Sequence, residues 1–283
     1  MAGNTGKTPK ARALGAELRE AREAAGLSQR KVASLATISN ASLSRYETGD
    51  RVPSPEDVAS ILTAVGAGAA VRDRLVEMAR DAAEPNWLLA GASGTRTELT
   101  TLIEFERTAS RIIEVAPMLI PGLLQTSDYA RTIMSGLPAH ELETWVTMRV
   151  GRRDVLTRRN PVRFDAVIAE HVLYQPIGGP DVMADQLRHI AKMAELPNVC
   201  VQIVPSSTQA WHLALEGAFI LFEFPKASPI VNLEHFRSSA FLYDDGDIHD
   251  YAQAGDTLRQ AAMSPEASVE LIARSAELME EQS

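Results

Sequence analysis

The chain has 283 residues, 45% of them apolar, which is too rich for disorder and long enough for two domains. No apolar run approaches the ~18 residues of a membrane helix, and the single Cys200 excludes an internal disulfide and a cysteine-based zinc site. The net charge of −9 argues against a uniformly basic nucleic-acid binder, but residues 1–66 hold nine basic and seven acidic side chains against nineteen and thirty in the remainder. The opening MAGNTGKTPK lacks the apolar stretch of a signal peptide and reads as a floppy tail to residue 11, so a cytoplasmic location is expected.

From there the helical signals come in quick succession. Leu14, Leu18, Ala21 and Ala25 recur at helical spacing and Gly26 stops them. Ser28 caps a short second helix, QRKVASLA, with Val32, Leu35 and Ala36 inward. After a break at Thr37-Ile38, Ser39 caps a third, NASLSRYE, where Ile38 and Leu43 are spaced as a hydrophobic staple and Gly49 ends the helix. Ser54-Pro55-Glu56-Asp57 opens a fourth, with Val58, Ile61, Leu62 and Val65 on its apolar face. A fifth runs from about Val71 to Ala83, with Leu75, Val76 and Ala79 inward. This all-α block spans residues 12–84, and residues 85–97, ending in GASGTRT, read as a linker.

Beyond the linker the texture changes. LTTLIEFERTASRIIEVA reads as a helix, APMLIPGLLQT as an apolar loop, and SDYARTIMSG and ETWVTMRVGRRDVLTRR as helical. Short β-rich runs follow: FDAVIAEHVLY, VCVQIVP, AFILFEF, IVNLEH and SAFLYD, with the helix DVMADQLRHIAKMAEL between the first two. One last helical stretch covers about His249 to Met279. The expected class is α+β, with residues 98–283 forming an α+β domain around a small sheet of undetermined strand order.

LSQRKVASLATISNASLSRYETG resembles the second and third helices of the phage-repressor-like (XRE-type) helix-turn-helix family. Gln29, the small Ala33, the apolar Ile38 after the turn, Leu43 and the Glu47/Gly49 pair all fall in register. Thr37 departs from the pattern, standing where the family usually has glycine. The resemblance implies that the third helix enters the major groove of double-stranded DNA, which is about 12 Å wide and displays a distinct donor and acceptor code for each base pair. Asn40, Ala41, Ser44 and Arg45 are then expected to face bases, and Gln29, Arg30, Ser42, Thr48 and Arg51 to meet phosphates. Arg22 and Glu47 correspond to the family's structural ion pair between the first and third helices.

PGLLQTSDYAR, with EHVLY, QLRHI, VCVQIVP and a Gly-Ala-Phe strand followed by Val-Asn-Leu-Glu, resembles the C-terminal domain of WhiJ-like actinomycete transcription regulators. That resemblance implies a regulator of development or secondary metabolism, and in some relatives an antitoxin-like pairing with a small protein. Other features weigh less. Arg149, Arg152 and Arg153 fall near one helix face, which suits an anionic ligand or DNA backbone, but a solvated face paired with acids is the plainer expectation. His171 beside Glu170, His212, His235 beside Glu234, and His249 lack a metal-ligand spacing, and Asp244-Asp245-Gly246-Asp247 reads as a turn. With no phosphate loop or nucleophile motif, neither a catalytic or metal site nor a cofactor is expected.

The sequence thus points to a homodimeric, non-enzymatic DNA-binding regulator on an inverted-repeat operator, its second domain sensing a small-molecule ligand or a partner protein, with no membrane contact. An antitoxin-like protein that grips a small partner and autoregulates its own operon is the first rival. The second is an enzyme with a DNA-targeting module, needing Glu170, His212 and Glu234 in one cleft.

Overall fold

The computed structural model describes residues 8–80, 82, 87–90, 92–208, 212–225, 227–235 and 238–282. It divides into two compact units, one within Met1–Thr108 and Lys226–Ile248, the other within Ala109–Pro225 and His249–Ser283. The fold is α+β.

Five helices open the first unit: α1 (Pro9–Ala24), α2 (Gln29–Leu35), α3 (Asn40–Glu47), α4 (Pro55–Ala64) and α5 (Ala69–Arg80). Their starts are set locally. Ser28, Ser39 and Ser54 each accept a hydrogen bond from the backbone N–H three residues on, at 3.3, 2.9 and 3.1 Å. Two sequence expectations are corrected here. Helix α1 begins at Pro9, inside the stretch read as a tail, because Thr8 is buried, caps Ala11 and donates to the Ala82 carbonyl at 2.5 Å. The rest of that tail lies outside the described residues. Leu35, read as inward, is 51% exposed; in so short a helix Val32, Ala33 and Ala36 already fill the face that is buried.

The stretch read as a linker carries strand β1 (Trp87–Ala90) and the start of α6 (Ala92–Thr108). The apolar WLLA finds an antiparallel partner about 150 residues away, and Leu99, Leu102 and Phe105 supply a buried stripe on a helix that already starts at Ala92. Residues late in the chain complete the unit, so that β6 (Ile230–His235) pairs antiparallel with β7 (Ser238–Leu242), and β7 with β1. Phe105 of α6 meets Phe241 of β7 edge to face, with ring centroids 5.6 Å apart. Helix α6 also holds α1: Arg12 lies 4.9 Å over the Phe105 ring and donates to Thr108 Oγ1 at 2.6 Å, and Arg19 pairs with Glu104.

The second unit has the strand order β5-β2-β3-β4, formed by β2 (Arg111–Ala116), β3 (Arg163–Ala169), β4 (Val199–Val204) and β5 (Phe219–Glu223). Strand β3 runs parallel to both β2 and β4, and β5 is antiparallel to β2. Strand β2 was read as the end of a helix. Its RIIEVA run is buried on both faces, a pattern that periodicity cannot separate from a buried helix segment, and its β-branched residues decide for strand. EHVLY, read as strand, is instead a 3₁₀ turn, Glu170–Tyr174. The helices are α7 (Ser127–Ile133), α8 (Ala139–Gly151), α9 (Asp154–Thr157), α10 (Pro180–Met193), α11 (Asp245–Ala261) and α12 (Pro265–Glu280). Ser264 and Pro265 break the single last helix of the sequence reading into α11 and α12. Strand β4, outermost in this order, is closed by side chains: Ser268 accepts from Ile203 N–H at 3.0 Å, and Gln202 donates to the Arg259 and Met263 carbonyls.

Candidate nucleic-acid interface

Helix α3 is held against α1 by backbone proximity. A Cβ on Gly15 would lie 2.3 Å from the Tyr46 carbonyl oxygen, and one on Gly49 2.7 Å from the Arg12 Cα. Gly49 also has φ +71° where the chain leaves α3, so glycine is required there twice over. Gly15 was missed in the sequence. Its signal was a lone glycine inside a helical pattern, which costs about 1 kcal/mol and so implies a packing reason.

The second anchor is a carboxylate. Glu47, 2% exposed at the end of α3, accepts from Arg22 Nε at 2.7 Å, Arg22 Nη2 at 2.9 Å and Gln29 Nε2 at 2.8 Å. Arg22 also donates to the Leu27 carbonyl at 3.1 Å. One acid thereby ties α1, α2 and α3 together, and its hydrogen bonds raise the Arg22 pKa above the ordinary value. Gln29, expected at a phosphate, spends its amide N–H on this cluster.

Between the two short helices the backbone turns through Thr37 at φ +58°, the one non-glycine residue with positive φ among the described residues. A β-branched side chain is strained there, which bears on the departure from the family pattern. Ile38 is half-buried and Leu43 fully buried beneath α3.

With its inner face fixed, α3 presents a polar outer face. Asn40, Ala41 and Arg45 are exposed and Ser44 is half-buried. Arg45 folds along its own helix, with Nε donating to the Ala41 carbonyl at 3.3 Å. Asn40 and Arg30 have no side-chain hydrogen bond among the described residues. Ser42 accepts from the Ser39 hydroxyl at 2.8 Å, and Thr48 donates to Asp50 at 2.8 Å. Arg51 lies 5.7 Å from the Tyr46 ring centre, and the Tyr46 hydroxyl donates to Asp57 at 2.7 Å. No acidic residue occurs within α3 before Glu47, which is turned inward.

The remaining candidates disperse. Arg149, Arg152 and Arg153 do not form a solvated face: Arg152 is buried, and Arg149 and Arg153 both donate to Gln125. Glu170 accepts from Ser206 N–H at 2.7 Å, and Asp244 from Gly246 N–H at 3.0 Å just before α11. Among the described residues no three His, Cys, Asp or Glu side chains are grouped to hold a metal ion. PMLIPGLL divides, with Met118 and Leu119 exposed and Ile120, Leu123 and Leu124 buried. Among the described residues no helix is long and apolar enough to cross a membrane.

A family model described as a helix-turn-helix domain matches residues 13–75, which enclose α2, α3 and the Glu47 cluster. No curated protein matches the chain. A second family model matches residues 99–274, more than half of the chain, and the protein therefore belongs to the family defined by the domain of unknown function DUF5753.

Proposed function

We propose that this protein is a sequence-specific transcription regulator that binds double-stranded DNA as a homodimer on an inverted-repeat operator. The observation that carries the reading is the outer face of α3: Asn40, Ala41, Ser44 and Arg45 stand free of acid on a helix whose inner face is locked by Glu47 and by two glycines. Such a helix fits the major groove, where Asn40 can pair with adenine, Arg45 with guanine and Ala41 with a thymine methyl group. Arg30, Ser42, Thr48 and Arg51, with the remaining capacity of Gln29, are assigned to phosphates. The helix-turn-helix match supports a DNA-binding regulator, and the XRE-type and WhiJ-like assignments belong to this proposal. Dimerisation follows from interface size, since one small module buries too little surface for tight specific binding whereas two half-sites one helical turn apart suffice. The second unit is then the sensing part of a non-enzymatic, cytoplasmic protein.

Binding of the purified chain to its own promoter DNA tests the assignment. Arg45→Ala is expected to lose about 1–3 kcal/mol at one base pair and to relax sequence choice there, while Arg30→Ala weakens all sequences evenly and lowers the salt slope by about one. Identical behaviour of the two variants would refute the division into base and phosphate contacts.

A further inference from the structure

In the second unit Arg149 and Arg153, which the DNA reading leaves unused, converge on one turn, the 3₁₀ segment Gly122–Leu124 and the residues after it. Arg149 Nη1 donates to Gln125 Oε1 at 3.3 Å, and Arg153 Nη2 donates to the Gln125 main-chain carbonyl. From α10, Gln186 clamps the same turn, donating to the Leu124 carbonyl and accepting from Thr126 N–H, both at 2.7 Å. His189 follows Gln186 by one helical turn.

Among the described residues Arg153 has no ion pair and no hydrogen bond other than that to Gln125, and its Nε is buried without an acceptor. His189 Nε2 is likewise buried without a partner among the described residues. Burial alone lowers the Arg153 pKa, with no carboxylate to offset it. Burial and the positive charges of Arg153 and Lys192 hold His189 down at about 4, so the imidazole is neutral near pH 7. A desolvated cation without a counter-charge is costly to keep, and a guanidinium fork is the side chain that best matches an oxyanion. A neutral imidazole beside it can add one N–H donor.

We propose that Arg153 and His189 form the recognition site for a small ligand bearing a carboxylate or phosphate group, held between the α8–α9 corner and α10. This rests on the reading of the second unit as a sensing domain and gives the chemistry of what it senses. A DNA backbone is the wrong occupant, because the unbonded Arg153 Nε is shielded from solvent and a duplex cannot follow it inward.

The test uses the full chain titrated with inorganic phosphate or with citrate at constant ionic strength, followed by thermal unfolding. Wild type and the surface control Arg159→Met are expected to gain about 3–6 °C at a tenfold excess over Kd, and Arg153→Met to gain nothing. A rise with phosphate alone or with citrate alone supports the site and names its anion. No rise in wild type, or a rise kept in Arg153→Met, overturns it. Should Arg153→Met not fold, the Arg153 Nε–H resonance of the wild type decides: movement on titration supports the site, and constancy overturns it. If Arg153→Met weakened binding to a random duplex, the site would pass to DNA backbone and the proposal would fall. Anion binding that leaves operator affinity unchanged keeps the site while removing the sensing role; absence of anion binding removes the site while leaving sensing of a partner protein intact.

Discussion

Arg22 and Arg153 are both withdrawn from solvent, and their surroundings differ in kind. Arg22 meets the buried Glu47 through two nitrogens and the Leu27 carbonyl through a third, so its charge is answered and its pKa rises. Among the described residues Arg153 meets one carbonyl and no acid, and its pKa falls. A buried arginine with a complete set of acceptors is a structural clamp. One without a counter-ion stores a cost that a ligand can remove. In the helix-turn-helix the Arg22 charge fixes the position of α3, and in the second unit the Arg153 charge meets no answering acid among the described residues.

The largest effect expected from breaking this contrast is at Glu47. Glu47→Ala leaves Arg22 and the Gln29 amide without their acceptor, and denaturant unfolding should register a loss of about 3–5 kcal/mol. Arg153→Met, which removes a desolvated charge with no ionic partner, should cost far less. Equal losses in the two variants would erase the distinction.

A smaller effect lies in acid. The His189 pKa is lowered from 6.5 to about 4, so the unfolded chain binds a proton in that window while the folded chain does not. Stability should therefore fall as the pH drops from about 6.5 to about 4 and level off below, by less than a fully buried histidine would give, because solvent screens the group. His189→Asn should flatten that segment of the stability curve. An unchanged slope would mean that His189 does not titrate as its surroundings dictate.

The smallest expected effect is a gain. Thr37→Gly relieves a β-branched residue at φ +58° and should stabilise the helix-turn-helix by about 1 kcal/mol in thermal unfolding, offset in part by the added freedom of glycine in the unfolded chain. A loss of stability would show that the Thr37 side chain makes up for its own strain.

What could be read in advance follows the range of the forces involved. The serine caps and the register that brings Arg22 and Glu47 together are spaced within a few residues or within one motif, so they were visible as letters. Strand β1 was hidden because its partner β7 lies about 150 residues on, and WLLA before a glycine looks like the edge of a linker. Strand β2 was hidden because a run buried on both faces loses the alternation that marks a half-exposed strand. Arg153 was expected on a solvated face since its acceptor is not an acid nearby in sequence but the main-chain carbonyl of Gln125, just after an apolar turn. At the interface, the identities of the exposed α3 residues were legible, while the strain at Thr37 and the close approach at Gly15 needed coordinates.

The central question is whether the outer face of α3 reads DNA. Binding of the purified chain to its own promoter fragment, measured at several salt concentrations beside the Asn40→Ala/Arg45→Ala double variant, examines this claim alone. The account predicts salt-dependent, sequence-selective binding by the wild type, and in the double variant only the residual salt-dependent affinity common to any duplex. Unchanged selectivity in a folded double variant would contradict it and would move recognition to another surface.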